Sequence, residues 1–219
     1  MYKVTVGICC YRQDDWVYRC LRSLASQTLS KDHFEVVLVD DNEVPSQKLQ
    51  DVCTAMGDVL NVRLIQNKKN MGLPTSLNNI LKTARGKYFV RVDSDDYVSR
   101  HFLYMLSTML EMNRSYQAVC CDYMKVDHVG QKLGYYDSFS EPIACGVMFS
   151  YEALCSLNFY NEEYKMREGH ELLERFQKKY SMYHLKAPLY RYRIHEENRT
   201  NNVDKVAYYD SKLKGEQDG

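Results

Sequence analysis

The β-forming run at residues 87–92 begins with Lys87 and has one further charge inside it, that of Arg91. Three carboxylates follow it within four positions, those of Asp93, Asp95 and Asp96. Valine, phenylalanine and tyrosine favour a buried strand there. Because side chains alternate along an extended chain, Asp93 and Asp95 are predicted to project to the same side where the strand ends. Two such carboxylates repel each other unless a cation lies between them, and Mg²⁺ or Mn²⁺ suits oxygen ligands of this kind. The pattern predicts a divalent metal site, with surface acids in a turn as the alternative.

Apolar strand-like runs alternate with amphipathic helical patterns through the first half of the chain. The strands are predicted at residues 4–10, 34–39, 62–65 and 87–92, and the helices at residues 14–25, 46–56 and 74–84. This alternation indicates an α/β fold with a mostly parallel central sheet and helices on both faces. Ligands of such sheets bind outside the carboxyl ends of the strands. Tyr11, the pair Asp40 and Asp41, and the aspartates 93 and 95 all fall at those ends, which predicts one shared pocket.

The second half is less regular. A helix is predicted at residues 102–112, an extended segment at 118–125 and an amphipathic helix at 168–180. Residues 189–195 alternate strictly, which places Arg191, Arg193 and His195 on one side of a strand. Beyond Thr200 the chain turns polar and is expected to be frayed. We expect a single domain over residues 1–202, with a nucleotide-binding half at about 1–97 and an acceptor half at 98–202. Residues 203–219 would form a polar tail.

The amino-acid composition bears on two questions: whether the partner is a nucleic acid, and in which cellular compartment the protein works. Lys plus Arg equals Asp plus Glu, at 29 each in 219 residues, so nothing global favours a nucleic-acid partner. The eight cysteines show no zinc-ligand spacing, and adjacent pairs inside apolar runs indicate reduced thiols and therefore the cytoplasm. The amino end shows no signal-peptide pattern, and no apolar run approaches the ~20 residues that span a membrane. Peripheral contact with the inner face of a membrane stays open.

Several nucleotide-binding and catalytic signatures are missing from the sequence. Neither G-x-G-x-x-G nor G-x-x-x-x-G-K-[ST] occurs, which argues against a dinucleotide fold and a P-loop enzyme. The acids at 93–96 lack the spacing of an EF-hand loop, and no G-x-S-x-G elbow is found.

The order of short motifs resembles that of family-2 glycosyltransferases with the GT-A fold, from about residue 3 to residue 200. The matching segments are residues 4–11, 20–28, 37–41, 70–78, 84–88, 93–96, 190–195 and 198–200. Each segment alone is a weak signal, but the whole series at family-like separations is specific. The resemblance implies an enzyme that transfers a sugar from a nucleotide-diphosphate sugar to a glycan or lipid-linked acceptor, in surface glycan or polysaccharide biosynthesis.

The same resemblance implies roles for individual residues. For the nucleotide these are Cys9, Tyr11 (stacking on the base), Asp41 or its neighbour Asp40, Asn70 and, at the ribose or sugar, Asp93. For the metal, Mn²⁺ or Mg²⁺, they are Asp95 and His195. For the diphosphate they are Arg191 and Arg193, with a solvated strand edge as the alternative.

The expected catalytic base is where this sequence departs from the family. Inverting members use an aspartate in a Glu-Asp pair at a helix start, and the corresponding position here is Gly169. Glu168 is the favoured base, while His170 and Glu171 remain candidates, although Glu171 can instead pair with Arg175. The departure leaves two functions open: a metal-dependent inverting transferase, and a non-catalytic relative that binds a nucleotide sugar. A nucleotidyltransferase of similar fold ranks last, because a Gly-rich, Arg-containing phosphate loop after the first strand is missing.

Overall fold

The computed structural model describes residues 2–215, within which nine strands form one sheet. The strands are β1 (Tyr2–Cys10), β2 (Phe34–Asp40), β3 (Val62–Gln66), β4 (Gly86–Arg91), β5 (Tyr97–Val98), β6 (Tyr116–Val126), β7 (Lys132–Tyr136), β8 (Met148–Ser150) and β9 (Ser181–Arg193). The α-helices are α1 (Asp14–Ala25), α2 (Gln47–Met56), α3 (Leu73–Leu81), α4 (Phe102–Met112), α5 (Tyr151–Ser156), α6 (Glu168–Gln177) and α7 (Val203–Gly215). Short 3₁₀ helices cover Lys31–His33 and Arg199–Asn201.

The first four strands are parallel, in the order β3-β2-β1-β4. Alternate residues of these strands enter two different cores, as the period of two requires. On one face Val36 and Leu38 pack with helices α1, α2 and α4; on the other, Val37 and Val39 pack with α3, α5 and α6. Strands β2, β1 and β4 are largely buried on both sides, which explains their apolar sequences, whereas β3 is half-buried at the edge of the sheet.

The second half extends the same sheet with mixed pairing. Strand β8 joins β4 antiparallel, β6 follows it antiparallel, and β9 then pairs with β6 in parallel. Strand β5 lies antiparallel on β9 at the far edge, and β7 forms a hairpin with β6. Strand β5 directly follows the aspartates 93–96 in the chain. Its pairing with β9 therefore brings the carboxyl end of β9 beside these aspartates.

The expected α/β architecture is confirmed, and some details differ. Strand β4 ends at Arg91, one residue earlier than expected, and the aspartates lie in the turn beyond it. Residues 203–215, expected to be frayed, form helix α7, which buries Leu213. The last residues of the expected tail, 216–219, lie outside the described part. Within that part, no helix has the length and apolar character needed to cross a bilayer.

Candidate active site

A cleft of about 900 Å³ opens where strands β1, β2 and β4 end. Its lining also includes the first residues of α6 and two residues of α7. Eight residues singled out in the sequence line it: Cys9, Tyr11, Asp41, Asn70, Asp93, Asp95, Glu168 and His170. The fold thus brings to one place side chains that lie far apart in the chain.

The carboxylate of Asp41 organises one end of the cleft. Its Oδ1 accepts hydrogen bonds from Nδ2 of Asn67 (2.7 Å) and the amide of Met71 (2.8 Å), and its Oδ2 accepts one from the amide of Gly72 (3.0 Å). These bonds hold the 70–72 loop against the end of β2. Tyr11 lies nearby, and its hydroxyl donates to a carboxylate oxygen of Glu43 at 2.9 Å.

Asp40 has a different position from its neighbour. It is fully buried and is not part of the cleft lining. Its oxygens accept hydrogen bonds from the amides of Asn42 (3.0 Å) and Ser46 (2.8 Å), which closes the turn before α2. Of the two aspartates that the resemblance offered for the base, only Asp41 faces the cleft.

Asp95 and His195 form a pair that fits a divalent cation. Oδ2 of Asp95 lies 2.9 Å from Nε2 of His195, a residue just outside the cleft lining. This is a hydrogen-bond distance. Because adjacent ligands of an octahedral ion with bonds of roughly 2.1 Å are about 3.0 Å apart, the same spacing is also compatible with one ion bound by both atoms. The imidazole also lies against the indole of Trp16, with the ring centroids 5.7 Å apart. This contact orients the histidine toward the carboxylate.

Asp96 is a support for the site rather than a ligand. It accepts hydrogen bonds from the hydroxyl of Tyr190 (2.7 Å) and the amide of Arg193 (2.7 Å), one on each oxygen. Burial, together with the charges of Asp95 and Asp93, raises the pKa of Asp96. Ligand atoms of Asp93, Asp96 and Cys145 also lie within 4.8 Å of one another. Burial raises the pKa of the Cys145 thiol, and both oxygens of Asp96 already accept hydrogen bonds. Asp95 and His195 therefore fit a metal better than this group of three.

The structure does not bring Arg191 and Arg193 to the cleft, contrary to the expectation that they contact a diphosphate. Arg193 is fully buried, and its guanidinium donates to the backbone oxygens of Asp95 (2.7 Å) and His128 (2.6 Å). The guanidinium of Arg191 donates to the backbone oxygen of Pro188 at 2.5 Å. The guanidinium of Arg193 instead lies over the indole of Trp16 and reaches the turn between β6 and β7, where it also donates to the backbone oxygen of Asp127 at 3.1 Å.

Other cations line the cleft instead, and sequence reasoning missed them. They are Arg12, Arg91, Lys165, Arg167, Arg199 and Lys205. A signal existed for Arg91, a charge that directly follows the apolar residues 88–90 of a strand, and for Arg199, which lies in a family-like segment. The lysines come from loop and helix positions whose direction depends on tertiary packing.

Glu168 begins α6 and faces the cleft with little exposure to solvent (5% of its side chain). Its Oε1 accepts a hydrogen bond from Nη1 of Arg91 at 2.8 Å, and Nη1 of Arg199 lies 3.9 Å away. Across residues 2–215, no hydrogen bond reaches its Oε2. One oxygen is therefore anchored while the other remains available.

Gly169 is next to Glu168, where relatives are expected to carry aspartate. A Cβ at this position would lie 2.3 Å from Cβ of Ala144, so the close approach of segment 142–145 leaves no room for a side chain. An aspartate would therefore not fit here unless this segment moved.

The other candidate bases have contrasting environments. His170 lines the cleft, and burial together with the charge of Arg167 lowers its pKa, so the imidazole is neutral near pH 7. Glu171 points away from the cleft and forms a two-pronged pair with Arg175, with distances of 2.5 and 2.8 Å. The pairing expected from the sequence is found, and Glu171 is not part of the cleft lining.

Comparison with known proteins assigns the family. The family model described as "Glycosyl transferase family 2" matches residues 5–199. The chain belongs to this family. The resemblance inferred from the motifs is confirmed.

Among curated relatives, a poly(ribitol-phosphate) beta-glucosyltransferase of Bacillus spizizenii is 32% identical over 114 residues, which are 52% of this chain and 18% of that protein. The poly(ribitol-phosphate) beta-N-acetylglucosaminyltransferase TarS of Staphylococcus aureus is 34% identical over 116 residues, 52% of this chain and 20% of TarS. The chain spans about a fifth of the length of these two relatives.

Solved structures of this fold confirm the GT-A architecture. S. aureus TarS 1–349 in complex with UDP-GlcNAc aligns with a TM-score of 0.77 at 24% identity, covering 91% of this chain and 61% of that one. The mannosyltransferase PcManGT from Pyrobaculum calidifontis, in complex with GDP-Man and Mn²⁺, aligns with a TM-score of 0.77 at 17% identity, covering 100% and 66%. At these identities the likeness is one of fold.

Proposed function

We propose that this protein is a metal-dependent inverting glycosyltransferase that moves a sugar from a nucleotide-diphosphate sugar to an acceptor hydroxyl. The observation that carries the proposal is that Asp41, Asp95 and Glu168 share one cleft, with His195 beside Asp95. Relatives named for poly(ribitol-phosphate) support a surface polymer or glycan, free or lipid-linked, as the acceptor. Eight free cysteines support work in a reducing compartment, the cytoplasm or the inner face of its membrane.

Donor binding is assigned to the end of the cleft that Asp41 organises. Tyr11 would stack on the base, with Cys9 and Asn70 beside the nucleoside and Asp93 at the ribose or the sugar. Complexes of the fold neighbours with UDP-GlcNAc and GDP-Man support a donor of this class.

Asp95 and His195 would hold Mn²⁺ or Mg²⁺. When bound, the ion supplies a Lewis acid that offsets charge on the leaving diphosphate. Lys165 and Arg199, both exposed at the cleft, are better placed to add to this stabilisation than the buried Arg193. The backbone oxygen of Lys165 accepts a hydrogen bond from Arg199, so the two cations form one rim.

Glu168 is the proposed base. Its unengaged Oε2 accepts the proton of the acceptor hydroxyl while the hydroxyl oxygen forms a bond to the anomeric carbon of the donor sugar. The bond from the anomeric carbon to the diphosphate breaks on the opposite face, which inverts the configuration. His170 is the alternative acceptor of the proton, because its imidazole is neutral and lines the same cleft.

Gly169 favours a second candidate function, binding of a nucleotide sugar without turnover. This position lacks the usual base, and its packing against Ala144 leaves no space for one. Sugar transfer or donor hydrolysis above background, measured across a panel of nucleotide sugars with Mn²⁺, would exclude this alternative.

The metal site gives the sharpest test of the leading proposal. Trp16 is the single tryptophan and contacts His195, so its fluorescence reports on binding at the site. We expect Mn²⁺ to strengthen UDP or GDP binding, and Asp95→Asn to weaken the Mn²⁺-dependent binding by about tenfold or more, because a carboxylate ligand is lost.

The matched control is Asp51→Asn on the exposed face of α2, which should retain the wild-type response to Mn²⁺. Full Mn²⁺-dependent transfer by Asp95→Asn would count decisively against a metal at this position.

A further inference from the structure

Arg91 is a charged side chain in the last position of a buried strand. Only 7% of its surface is exposed, and its neighbours in β4 are apolar. A buried charge is costly unless it is paired and hydrogen-bonded, so an arginine here needs partners that compensate it. The mechanism above gives this residue no task.

The guanidinium of Arg91 joins two carboxylates of the cleft. Its Nε and Nη2 donate to the two oxygens of Asp93 at 2.5 and 3.0 Å, a fork-to-fork pair. Its Nη1 donates to Oε1 of Glu168 at 2.8 Å. Burial opposes the charged form, but the two carboxylates outweigh it and raise the pKa of Arg91. The cation therefore stays charged between two acids that lie 75 positions apart in the sequence.

The remaining groups around Glu168 leave this contact dominant. Arg199 approaches it from the 3₁₀ helix only to 3.9 Å, and the phenol of Tyr160 is neutral because burial raises its pKa. On the carboxylate's own helix, His170 has a lowered pKa, and the neighbouring Arg167 is paired with Asp210 at 2.7 Å. The orientation of Glu168 therefore depends on Arg91.

We propose that Arg91 is a positioning residue that fixes the base Glu168 relative to Asp93, so that the acceptor proton and the donor sugar are held by one rigid unit. This inference rests on the proposed function. The guanidinium occupies Oε1 and thereby turns Oε2 toward the acceptor. A displacement of about 1 Å at a base costs roughly 100-fold in rate, so a bond of this kind has a measurable effect.

The test is a double-mutant cycle of Arg91→Met and Glu168→Gln, with kcat and its pH dependence measured for sugar transfer. In the wild-type background, Arg91→Met should lower kcat about 100-fold; in the Glu168→Gln background it should lower kcat by about tenfold or less, because the positioned group is already lost. The acidic limb of the pH profile should move up by about one to two pH units in Arg91→Met, since an unpaired buried carboxylate takes up a proton more readily.

Arg175→Met is the matched control, because it breaks a two-pronged arginine–glutamate pair on the same helix but outside the cleft. It should lower the melting temperature while kcat and the acidic limb stay unchanged. If Arg91→Met fails to fold, Arg91→Lys keeps the charge without the fork and should lower kcat about tenfold with the acidic limb in place.

Additive losses across the cycle, together with an unmoved acidic limb in Arg91→Met, would overturn the positioning role. In that case wild-type transfer would leave the proposed function standing. Absence of transfer by the wild-type enzyme with every donor tested would overturn both.

Discussion

Asp95 and Asp96 are neighbours in the chain with opposite environments. Asp95 faces the cleft and contacts His195, whereas Asp96 is buried and bonded to Tyr190 and the backbone of Arg193. At this scale the chemistry of a residue follows from its partners rather than from its type. His170 is a second example, because burial, together with the charge of Arg167, lowers its pKa and keeps an ordinarily titratable group neutral near pH 7.

His170 should make stability depend on pH. The pKa of His170 is lowered in the folded protein from its ordinary value of about 6.5. At a pH between the folded and the unfolded pKa, the unfolded chain therefore binds more protons at this residue than the folded protein does. The contribution of this group to the free energy of unfolding is therefore complete above about pH 6.5 and lost as the pH falls through the folded value. In His170→Gln, the difference in that free energy between pH 7.5 and 5, measured by urea titration, should be smaller than in the wild type.

Replacement of the exposed His33 by glutamine is the control and should leave this difference in the free energy of unfolding unchanged. Equal differences in the wild type and both variants would contradict the assignment to His170.

Helix α6 shows how an element delivers a side chain. Its preceding residue, Arg167, has a left-handed backbone (φ 63°) and pairs with Asp210 of α7. Gly169 then allows segment 142–145 to approach the first turn of the helix. This start places Glu168 at the cleft, where the hydrogen bond from Arg91 sets the orientation of its carboxylate.

Gly169→Asp, which introduces the aspartate expected from the family, should impair this protein. The new Cβ would overlap with Cβ of Ala144, so the free energy of unfolding should fall by about 1–3 kcal/mol and transfer should decrease. Chemical denaturation checks the first effect and a transfer assay the second. Addition of Ala144→Gly should recover part of the stability, whereas Gly57→Asp, at an unobstructed helix end, should cost less. A gain of activity in Gly169→Asp alone would contradict this account.

At the scale of the whole molecule, one sheet runs through both expected halves. The order β3-β2-β1-β4-β8-β6-β9-β5 joins N-terminal and C-terminal strands without a break, and each of the two cores contains residues from both parts. The cleft likewise takes its residues from both. The division near residue 97 remains a prediction about function rather than about independent folding.

We therefore expect residues 1–202 to unfold as one cooperative unit. Trp16 contacts His195 and Arg193, so its fluorescence reports on the junction between the two parts, and far-UV circular dichroism reports on all helices and strands. The two urea transitions should coincide, as two-state unfolding requires. Separate midpoints would show that the halves fold independently.

Local patterns in the sequence were enough to predict the alternating strands and helices of the first half, the carboxyl edge as the site, and Asp41, Asp93 and Asp95 as candidates, because periodicity and strand ends are local properties of a chain. They did not predict the short strands β5, β7 and β8 or the helices α5 and α7. Tertiary structure alone decided which aspartate of each pair faces the cleft. It also decided that Arg193 donates to the β6–β7 turn, that Ala144 fills the space at Gly169, and that Arg91 reaches Glu168. These outcomes depend on contacts between residues far apart in the sequence, and no local pattern encodes which partner a buried charge will meet.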